Sequence, residues 1–449
     1  MPFPSECIPE GRAHSVRKTG PSSRLLHAAD FHVTVPRVRC QWQIAASAGR
    51  LSPVSELLES ALALAPEVIA DRRSIHQKPE LAYRETETAA LVADRLTQLG
   101  IRVRTGVART GVIGLIEGAF PGKTVLLRAD MDALPIPEAS HHKYASANIG
   151  VMHACGHDAH TAILLGAAKL LSQRRGQLAG NVKLMFQPAE EGGAGALRMI
   201  EAGVLKDPDV DAAFMLHVSS LYEVGQVATK GGPALAGTNL FTITINGRGG
   251  HASMPHVTVD PIVVAAQVVT AVQTLVSREV DPSQPVVVTL GSIRAGTAAN
   301  IIPDQAVIQG TVRAYSDDVM SMLERRLEEM VTGVARAFRA DAQIEYFMHY
   351  PTTVNDPEMA DLLARSSRRV LGENAVHTAD PIFAGEDFSF ILQRVPGAML
   401  HLGVRNPEWA DERPPHTARF DLDEGSVPLG VACLTAVALD FLTPASQAA

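Results

Sequence analysis

The chain has 449 residues, of which 46% are hydrophobic and 20% are charged, a composition typical of a globular protein of two or three domains. Its formal net charge of -8 argues against a nucleic-acid partner, and no apolar run reaches the roughly 18 residues of a membrane span. Its four cysteines are too few and too far apart for a disulfide framework, which predicts a reducing, cytoplasmic compartment.

Residues 1–50 differ from the rest of the chain because basic residues outnumber acidic ones and no amphipathic period is visible. A secretory signal is not expected, since no apolar segment follows the basic residues. We predict that this segment is a poorly ordered extension. An Arg-rich, acid-poor transit peptide is the less favoured alternative.

From residue 51 onward the apolar residues follow regular patterns. Helical spacing covers residues 56–76 and 85–99, and also the segments TAILLGAAKLL and ALRMIEAGVL. Short apolar runs of the kind that form buried strands are GVIGLIEG, TVLLRADMD, NVKLMFQP and DAAFMLHV. Strands that alternate with helices predict an α/β sheet covered on both faces, with ligands bound beyond the carboxyl ends of the strands.

The region from 233 to 346 has a different pattern and is predicted to be a separate domain. Its predicted strands are LFTITING, PVVVTLGSI, QAVIQGTVRAY and AQIEYFMHY. A helix is predicted at DPIVVAAQVVTAVQTLV, and a second, amphipathic helix follows the Ser316–Asp317 cap. The resulting order βαββαβ is that of a ferredoxin-like unit.

Several polar side chains follow the predicted strands of the first region where those strands end. They are Asp130 and Asp132 after one strand, Glu190 and Glu191 after the next, and His217 after a third. The stretch GVMHACGHDAHTA, residues 150–162, adds three histidines and a cysteine on a glycine-flanked loop before a helix. Separate segments therefore deliver polar groups to one edge of the predicted sheet.

Taken singly, these residues have ordinary structural explanations, such as a buried cysteine or a solvated glutamate pair. Together, thiolate, imidazole and carboxylate groups suit a borderline-soft divalent metal. One glutamate of a Glu-Glu pair can bind metal while its neighbour serves as a general base. The main rival is a nucleophilic pair of Cys155 and His157, which leaves the glutamates and His217 without a role.

Eight motifs resemble those of one enzyme family and occur in the family's order. They are RADMDALPI, GVMHACGHDAHTA, QPAEEGGAGA, GRGGHASMPH, ANIIPD, GTVRAY, AGEDFS and PPHTARFDLDE. The chain resembles the hippurate hydrolase and N-acyl-amino-acid amidohydrolases, which include the auxin-conjugate hydrolases, among the aminoacylase-like metallopeptidases. The resemblance covers about residues 55–443.

This resemblance implies a mixed-sheet, two-metal aminopeptidase-like catalytic domain in two parts, 51–232 and 347–449. The insert at 233–346 would be the ferredoxin-like lid and dimerisation domain. Two divalent ions (Zn, Mn, Co or Ni) would be bound by five ligands: Cys155 as the bridging thiolate, His157, Glu191, His217 and His416. Glu190 would be the general base, and Asp132 would orient a ligand. His401 competes with His416, while His153 and His160 are expected to be structural.

For the insert, the resemblance implies that His251 reaches the active site of a partner subunit and polarises the scissile carbonyl. Asn300 and Arg313 match positions that hold the substrate backbone or carboxylate. Without the resemblance, a loop histidine and a surface salt bridge would be the simpler explanations for His251 and Arg313. A homodimer or tetramer formed through the lid is expected.

The implied activity is hydrolysis of the amide bond in small N-acyl amino acids, such as benzoyl or acetyl derivatives, without a nucleic-acid or membrane partner. The stretch HYPTTVND lacks the arginine of glutamate-specific relatives, which argues against acidic leaving groups. A carboxypeptidase or dipeptidase on the same scaffold is one alternative. A non-catalytic binding protein is the other, but all the candidate ligands and the base are present.

Overall fold

The structure is a computed structural model that describes residues 53–443, so the prediction for residues 1–50 lies outside the described residues. The helices are α1 (Pro53–Gln77), α2 (Thr86–Gln98), α3 (His157–Gln173), α4 (Glu190–Gly193), α5 (Gly195–Glu201), α6 (Pro261–Thr274), α7 (Asp317–Ala337), α8 (Pro357–Leu371), α9 (Ser389–Leu392) and α10 (Ser426–Leu442). The strands are β1 (Arg102–Val107), β2 (Gly111–Glu117), β3 (Phe120–Asp130), β4 (Ala179–Gln187), β5 (Ala212–Glu223), β6 (Val227–Thr229), β7 (Gly232–Leu235), β8 (Gly237–Asn246), β9 (Gly250–His251), β10 (Val286–Ala295), β11 (Ile301–Ile302), β12 (Gln305–Ala314), β13 (Asp341–Tyr350), β14 (Thr353–Asn355), β15 (Val376–Thr378) and β16 (Gly397–Arg405).

The larger sheet has eight strands in the order β1-β2-β4-β3-β5-β16-β6-β15. The central strands β4, β3, β5 and β16 run parallel to one another, whereas β1, β2 and β6 add antiparallel pairs. The sheet is therefore mixed, and the carboxyl ends of its four central strands meet at one edge.

Helices cover both faces of this sheet because its central strands are apolar on both sides. Leu127 and Phe214 belong to a core with α1, α3 and α10 on one face. The alternate residues Leu126 and Met215 belong to a second core, with residues of α5 and α9 on the other face. This is the two-sided burial predicted from the continuous apolar runs.

The second sheet, of four antiparallel strands in the order β10-β12-β8-β13, is built from the segment between Gly237 and Tyr350. Alternation along β8 buries Phe241, Ile243 and Ile245 in a core shared with α6 and α7. The principal elements follow in the predicted order βαββαβ, and Ser316 caps α7 by accepting a hydrogen bond from the Val319 amide. The domain boundaries at residues 232 and 346 stay a prediction.

Helix α6 continues into a π-helical turn, Leu275–Glu279, and this 19-residue segment has the length and mean hydropathy of a membrane span. It is the one such helix among residues 53–443. One side of it packs in the core of the second sheet through Val264, Val268 and Val272. Ile262 and Val263 remain about half exposed, so the helix also has an apolar face turned outward.

Candidate active site and metal centre

The loop that carries Cys155 depends on the glycine that follows it. Gly156 has φ +83°, and a Cβ at this position would lie 2.4 Å from Cγ2 of Val218. Only glycine fits this tight, left-handed turn. Because α3 begins at the next residue, the turn places Cys155 and His157 together at the amino end of a helix.

Cys155, His157 and His217 form the first cluster of possible metal ligands. One ligand atom from each residue lies within 4.8 Å of the other two, and Cys155 Sγ is 3.5 Å from His217 Nε2. Burial opposes ionisation of the thiol, but the two imidazoles lower the pKa of Cys155 to about 6. A thiolate is therefore available at neutral pH, as a metal ligand requires.

Cys155, Glu191 and His416 form the second cluster, again with ligand atoms within 4.8 Å of one another. His416 Nε2 lies 3.1 Å from Glu191 Oε1. The His416 amide donates a hydrogen bond to the carbonyl of Ala154, which ties this distant segment to the cysteine loop. Cys155 belongs to both clusters, so its sulfur lies between two groups of possible ligands.

Two aspartates hold the metal-binding candidates in place. Asp132 accepts hydrogen bonds of 3.0 Å from the amides of Glu190 and Glu191, and its Oδ1 lies 3.4 Å from His157 Nδ1. Asp130 lies 2.6 Å from His160 Nδ1, and His160 Nε2 accepts a hydrogen bond from the Val218 amide. Both ring nitrogens of His160 thus have partners within the structure, and its structural role stays a prediction.

The surroundings of the two ring nitrogens of His157 indicate whether a metal ion fits this site. The side chain is 1% exposed, and its Nδ1 and Nε2 lie 3.4 Å from Asp132 Oδ1 and 3.7 Å from Asp130 Oδ2, but neither ring nitrogen makes a well-formed hydrogen bond among the described residues. A buried imidazole without a well-formed hydrogen bond is unfavourable, and a metal ion would satisfy it. With a thiolate, imidazoles and a carboxylate around it, the donor set matches a borderline-soft divalent ion.

Glu190 is buried beside these ligands and groups both with His157 and Glu191 and with two further carboxylates. A possible ligand atom of Glu190 lies within 4.8 Å of those of Glu386 and Asp387. Burial first, and then the charges of Glu386 and Glu191, raise the pKa of Glu190 well above its usual value. Raising the pKa makes its carboxylate a better proton acceptor, as a general base needs.

A cavity of about 610 Å³ opens beside the two clusters. Its apolar lining includes Leu221, Leu235, Leu240, Ile382 and Met399. Arg313 also lines it; the Nη1 atom donates a 2.8 Å hydrogen bond to Thr238 Oγ1, and no carboxylate pairs with it among residues 53–443.

The structure does not place every predicted site residue in this cavity. His251 and Asn300 lie at a separate two-stranded sheet, β9–β11, where the Ala252 amide donates to the Asn300 carbonyl. His251 is exposed, and its Nδ1 accepts a hydrogen bond from the Ser253 amide. Neither residue lines the cavity within this one chain.

The sequence did not single out the charged network beneath Glu190. Arg128 is fully buried and pairs with Asp130, Glu386 and Asp387. Glu386 and Asp387 lie in the quoted motif AGEDFS, but nothing in their spacing predicts that they point inward. The sequence suggests His401 only as an alternative metal ligand. In the structure His401 of β16 pairs in register with His217 of β5, and it lines the cavity.

Residues 126–440 match the family described as Peptidase family M20/M25/M40, which is more than half of the chain. The chain belongs to this peptidase family. The predicted resemblance is confirmed, and so is the mixed α/β fold.

Several similar proteins align with most of the length of this chain. Thermostable carboxypeptidase 2 of Saccharolobus solfataricus is 42% identical over 378 residues, which cover 83% of this chain and 95% of that protein. IAA-amino acid hydrolase ILR1-like 4 of Arabidopsis thaliana is 41% identical over 379 residues, covering 84% and 86%. The structure of the Bacillus subtilis YXEP protein, a dinuclear metal-binding peptidase, is 34% identical, with a TM-score of 0.73 and coverage of 85% and 99%.

Family membership and the donor set together define the general chemistry. This M20 protein is a metal-dependent hydrolase of amide bonds with a site for two divalent ions. A metal site gives a role to the glutamates and His217, which the nucleophilic-pair alternative for Cys155 and His157 leaves without one.

Proposed function

We propose that the protein hydrolyses the amide bond of N-acyl amino acids and releases a carboxylic acid and a free amino acid. The observation that carries the proposal is the position of Cys155 in both ligand clusters, beside the buried Glu190. The proposed ligands are Cys155 for both ions, with His157, Glu191, His217 and His416. Zn, Mn, Co or Ni would each suit this set.

In the proposed mechanism Glu190 moves the protons. When bound, the two divalent ions supply Lewis acidity to a water molecule and to the amide carbonyl. Glu190 takes the proton of the attacking water and delivers it to the leaving amine. Asp132 holds the loop of Glu190 through its amide hydrogen bonds and orients His157.

The cavity supports a substrate with one carboxylate and an otherwise neutral, apolar body. Arg313 supplies a guanidinium without a carboxylate partner among the described residues, and Leu221, Leu240 and Ile382 supply apolar walls. A second carboxylate would be desolvated against these walls without a cation to pair with. We propose acetyl, benzoyl or indole-acetyl derivatives of apolar amino acids.

The second sheet with α6 and α7 is proposed to serve as lid and dimerisation domain. Strand β10 is an edge strand, and Ile262 and Val263 expose an apolar face of α6, a combination that favours pairing of two subunits. In such a dimer His251 of each lid would reach the partner's cavity, with Asn300 beside it. A cytoplasmic location is proposed because a Cys155 thiolate ligand needs a reducing compartment.

A carboxypeptidase or dipeptidase activity is the second candidate, favoured by the similarity to a carboxypeptidase at 42% identity. A hydrolysis screen separates the two. Purified protein loaded separately with Mn²⁺, Zn²⁺, Co²⁺ or Ni²⁺ is offered N-acetyl, N-benzoyl and indole-acetyl amino acids and a matched set of dipeptides. We expect higher kcat/KM on apolar N-acyl amino acids, and loss of activity on chelation.

Higher kcat/KM on the dipeptides would favour the second candidate, and hydrolysis of neither set with any metal would overturn the proposed function. The bridging role of Cys155 has its own test, since Cys155→Ala should lose metal from both positions. Full metal content and activity in Cys155→Ala would show that the thiol is only structural.

A further inference from the structure

The loop that carries the two glutamates has an unusual backbone conformation. Ala189 and Ala194, which flank it, have φ values of 54° and 52°, in the left-handed region that residues with a Cβ rarely adopt. Gly192 between them has φ 84°. Such a conformation persists only when surrounding groups hold it in place.

One side chain contacts this loop at two points. The Tyr350 hydroxyl donates a 2.7 Å hydrogen bond to the carbonyl of Glu190 and accepts a 2.9 Å hydrogen bond from the amide of Ala194. Its oxygen therefore joins the general-base candidate to the far end of the loop. Asp132 binds the Glu190 and Glu191 amides, so hydroxyl and carboxylate together satisfy four backbone groups of the loop.

Tyr350 is also the last residue of β13, the strand through which the chain leaves the second sheet. It pairs in register with Thr238, near the start of β8, where the chain enters that sheet. Thr238 in turn accepts the hydrogen bond from Arg313. The Tyr350 ring is 4% exposed and packs edge-on against Phe390, with ring centroids 5.9 Å apart.

We propose that Tyr350 is a positioning residue that fixes the Glu190 carboxylate by tying its loop to the strand that connects the two sheets. The inference rests on the proposed role of Glu190 as general base. Tyr350 itself need not touch the substrate's reacting atoms. Its hydroxyl acts through the loop backbone, so removing it should misplace the base without removing a metal ligand.

The test compares Tyr350→Phe with Tyr346→Phe. Tyr346 lies on the same strand, and its hydroxyl donates to the Glu324 carbonyl, away from the active site. In Tyr350→Phe we expect kcat to fall about 10- to 100-fold, with KM within about threefold and metal content unchanged. Tyr346→Phe should keep the wild-type kcat.

A cycle with Glu190→Gln distinguishes positioning from a general structural role. If Tyr350 acts through Glu190, adding Tyr350→Phe to Glu190→Gln should lower the remaining kcat by less than about threefold. A loss as large as in the wild-type background would overturn the inference, as would loss of metal.

Amide hydrogen exchange gives a readout that does not depend on turnover. The Ala194 amide loses its acceptor in Tyr350→Phe, so its exchange should become at least about tenfold faster, while amides within β4 remain protected. Unchanged exchange at Ala194 would overturn the inference even if kcat fell. If the wild type hydrolysed no substrate, the proposed function would fail, whereas this exchange experiment would still test the anchoring of the loop.

Discussion

At the scale of single residues, two adjacent carboxylates have different surroundings. Glu191 lies 3.1 Å from His416 Nε2 and near Cys155, whereas Glu190 is buried near Glu386 and Asp387. The pKa of Glu191 is lowered: burial opposes this, but His416 and His157 outweigh it. The pKa of Glu190 is raised, first by burial. These directions agree with the proposed roles of Glu191 as ligand and Glu190 as base.

The two glutamine variants, Glu190→Gln and Glu191→Gln, should therefore lose activity for different reasons. Glu190→Gln is nearly isosteric but cannot accept a proton, so we expect it to keep its metal and lose at least about 10²-fold in kcat. Glu191→Gln should lose metal affinity, and excess metal should recover part of its activity. Metal analysis and steady-state kinetics on both variants make the comparison. Metal loss in Glu190→Gln with metal retention in Glu191→Gln would reverse the two roles.

The sequence predicted the candidate metal ligands because their residue types and their positions at the ends of predicted strands can be read directly from it. It did not predict the buried partners of Glu190, since Glu386 and Asp387 approach Arg128 across more than 250 positions of sequence. Their inward direction follows from packing over the sheet, which residue spacing does not encode. His416 was found only through the family motif, for the same reason.

At the scale of elements, the apolar runs predicted β2 to β5 and the strands and helices of the second sheet, which the structure confirms. Strand β16 was not predicted, although it pairs with β5 along nearly its whole length. Its place between β5 and β6, which are far from it in sequence, is decided by long-range pairing. Short strands such as β6 and β15 carry too little pattern to be recognised.

A buried polar network joins helix α1 to the loop that precedes the cysteine. His76 Nε2 lies 3.2 Å from Glu138 Oε1, and the Ser146 amide donates a 2.6 Å hydrogen bond to Glu138 Oε2. Burial opposes ionisation of Glu138, but bonds from His76, Ser140 and Ser146 lower its pKa to about 2. The ionised carboxylate is therefore favoured in the folded state.

This pKa shift predicts a pH-dependent stability. A carboxyl group with a lowered folded-state pKa stabilises the fold above its unfolded pKa of about 4.5, and that contribution is lost as the pH falls toward 2. At pH 7, Glu138→Gln should lower the free energy of unfolding by about 1–3 kcal/mol. The difference should shrink between pH 4.5 and pH 2.

Urea unfolding of chelator-treated protein measures this difference without a contribution from metal release. Glu408→Gln, at an exposed position, is the matched control and should change the free energy of unfolding by less than about 0.5 kcal/mol. A Glu138→Gln effect that stayed constant from pH 7 to pH 3 would show that the loss comes from packing rather than from charge.

At the scale of the whole molecule, the predicted active site is incomplete in one chain. Cys155 and Glu190 face the cavity, but His251 is exposed on the small β9–β11 sheet and lines no part of that cavity. Two chains paired through the lid would bring each His251 to the other's site. The segment between Gly237 and Tyr350, which ends at the residue that holds the loop of Glu190, would thus also carry a group for the neighbouring subunit.

Mixing two inactive variants tests this arrangement. His251→Ala should retain metal but lose about 10²- to 10³-fold in rate, the effect of removing one oxyanion donor. Glu190→Gln should lose at least about 10²-fold in rate for want of a base. In a mixed dimer, one of the two sites combines an intact Glu190 from one chain with an intact His251 from its partner. After full exchange at equal concentrations, about a quarter of the wild-type activity should return, because half of the dimers are mixed and each has one intact site.

A mixture of Glu190→Gln with Glu191→Gln is the matched control. Both changes lie on the same catalytic loop, so every site in that mixed dimer keeps one defect and no activity should return. Exchange is followed independently with two affinity tags. If tagged subunits exchange and the His251→Ala mixture stays inactive, His251 acts within its own chain or takes no part in the reaction, and the lid would then have to complete the site by another residue.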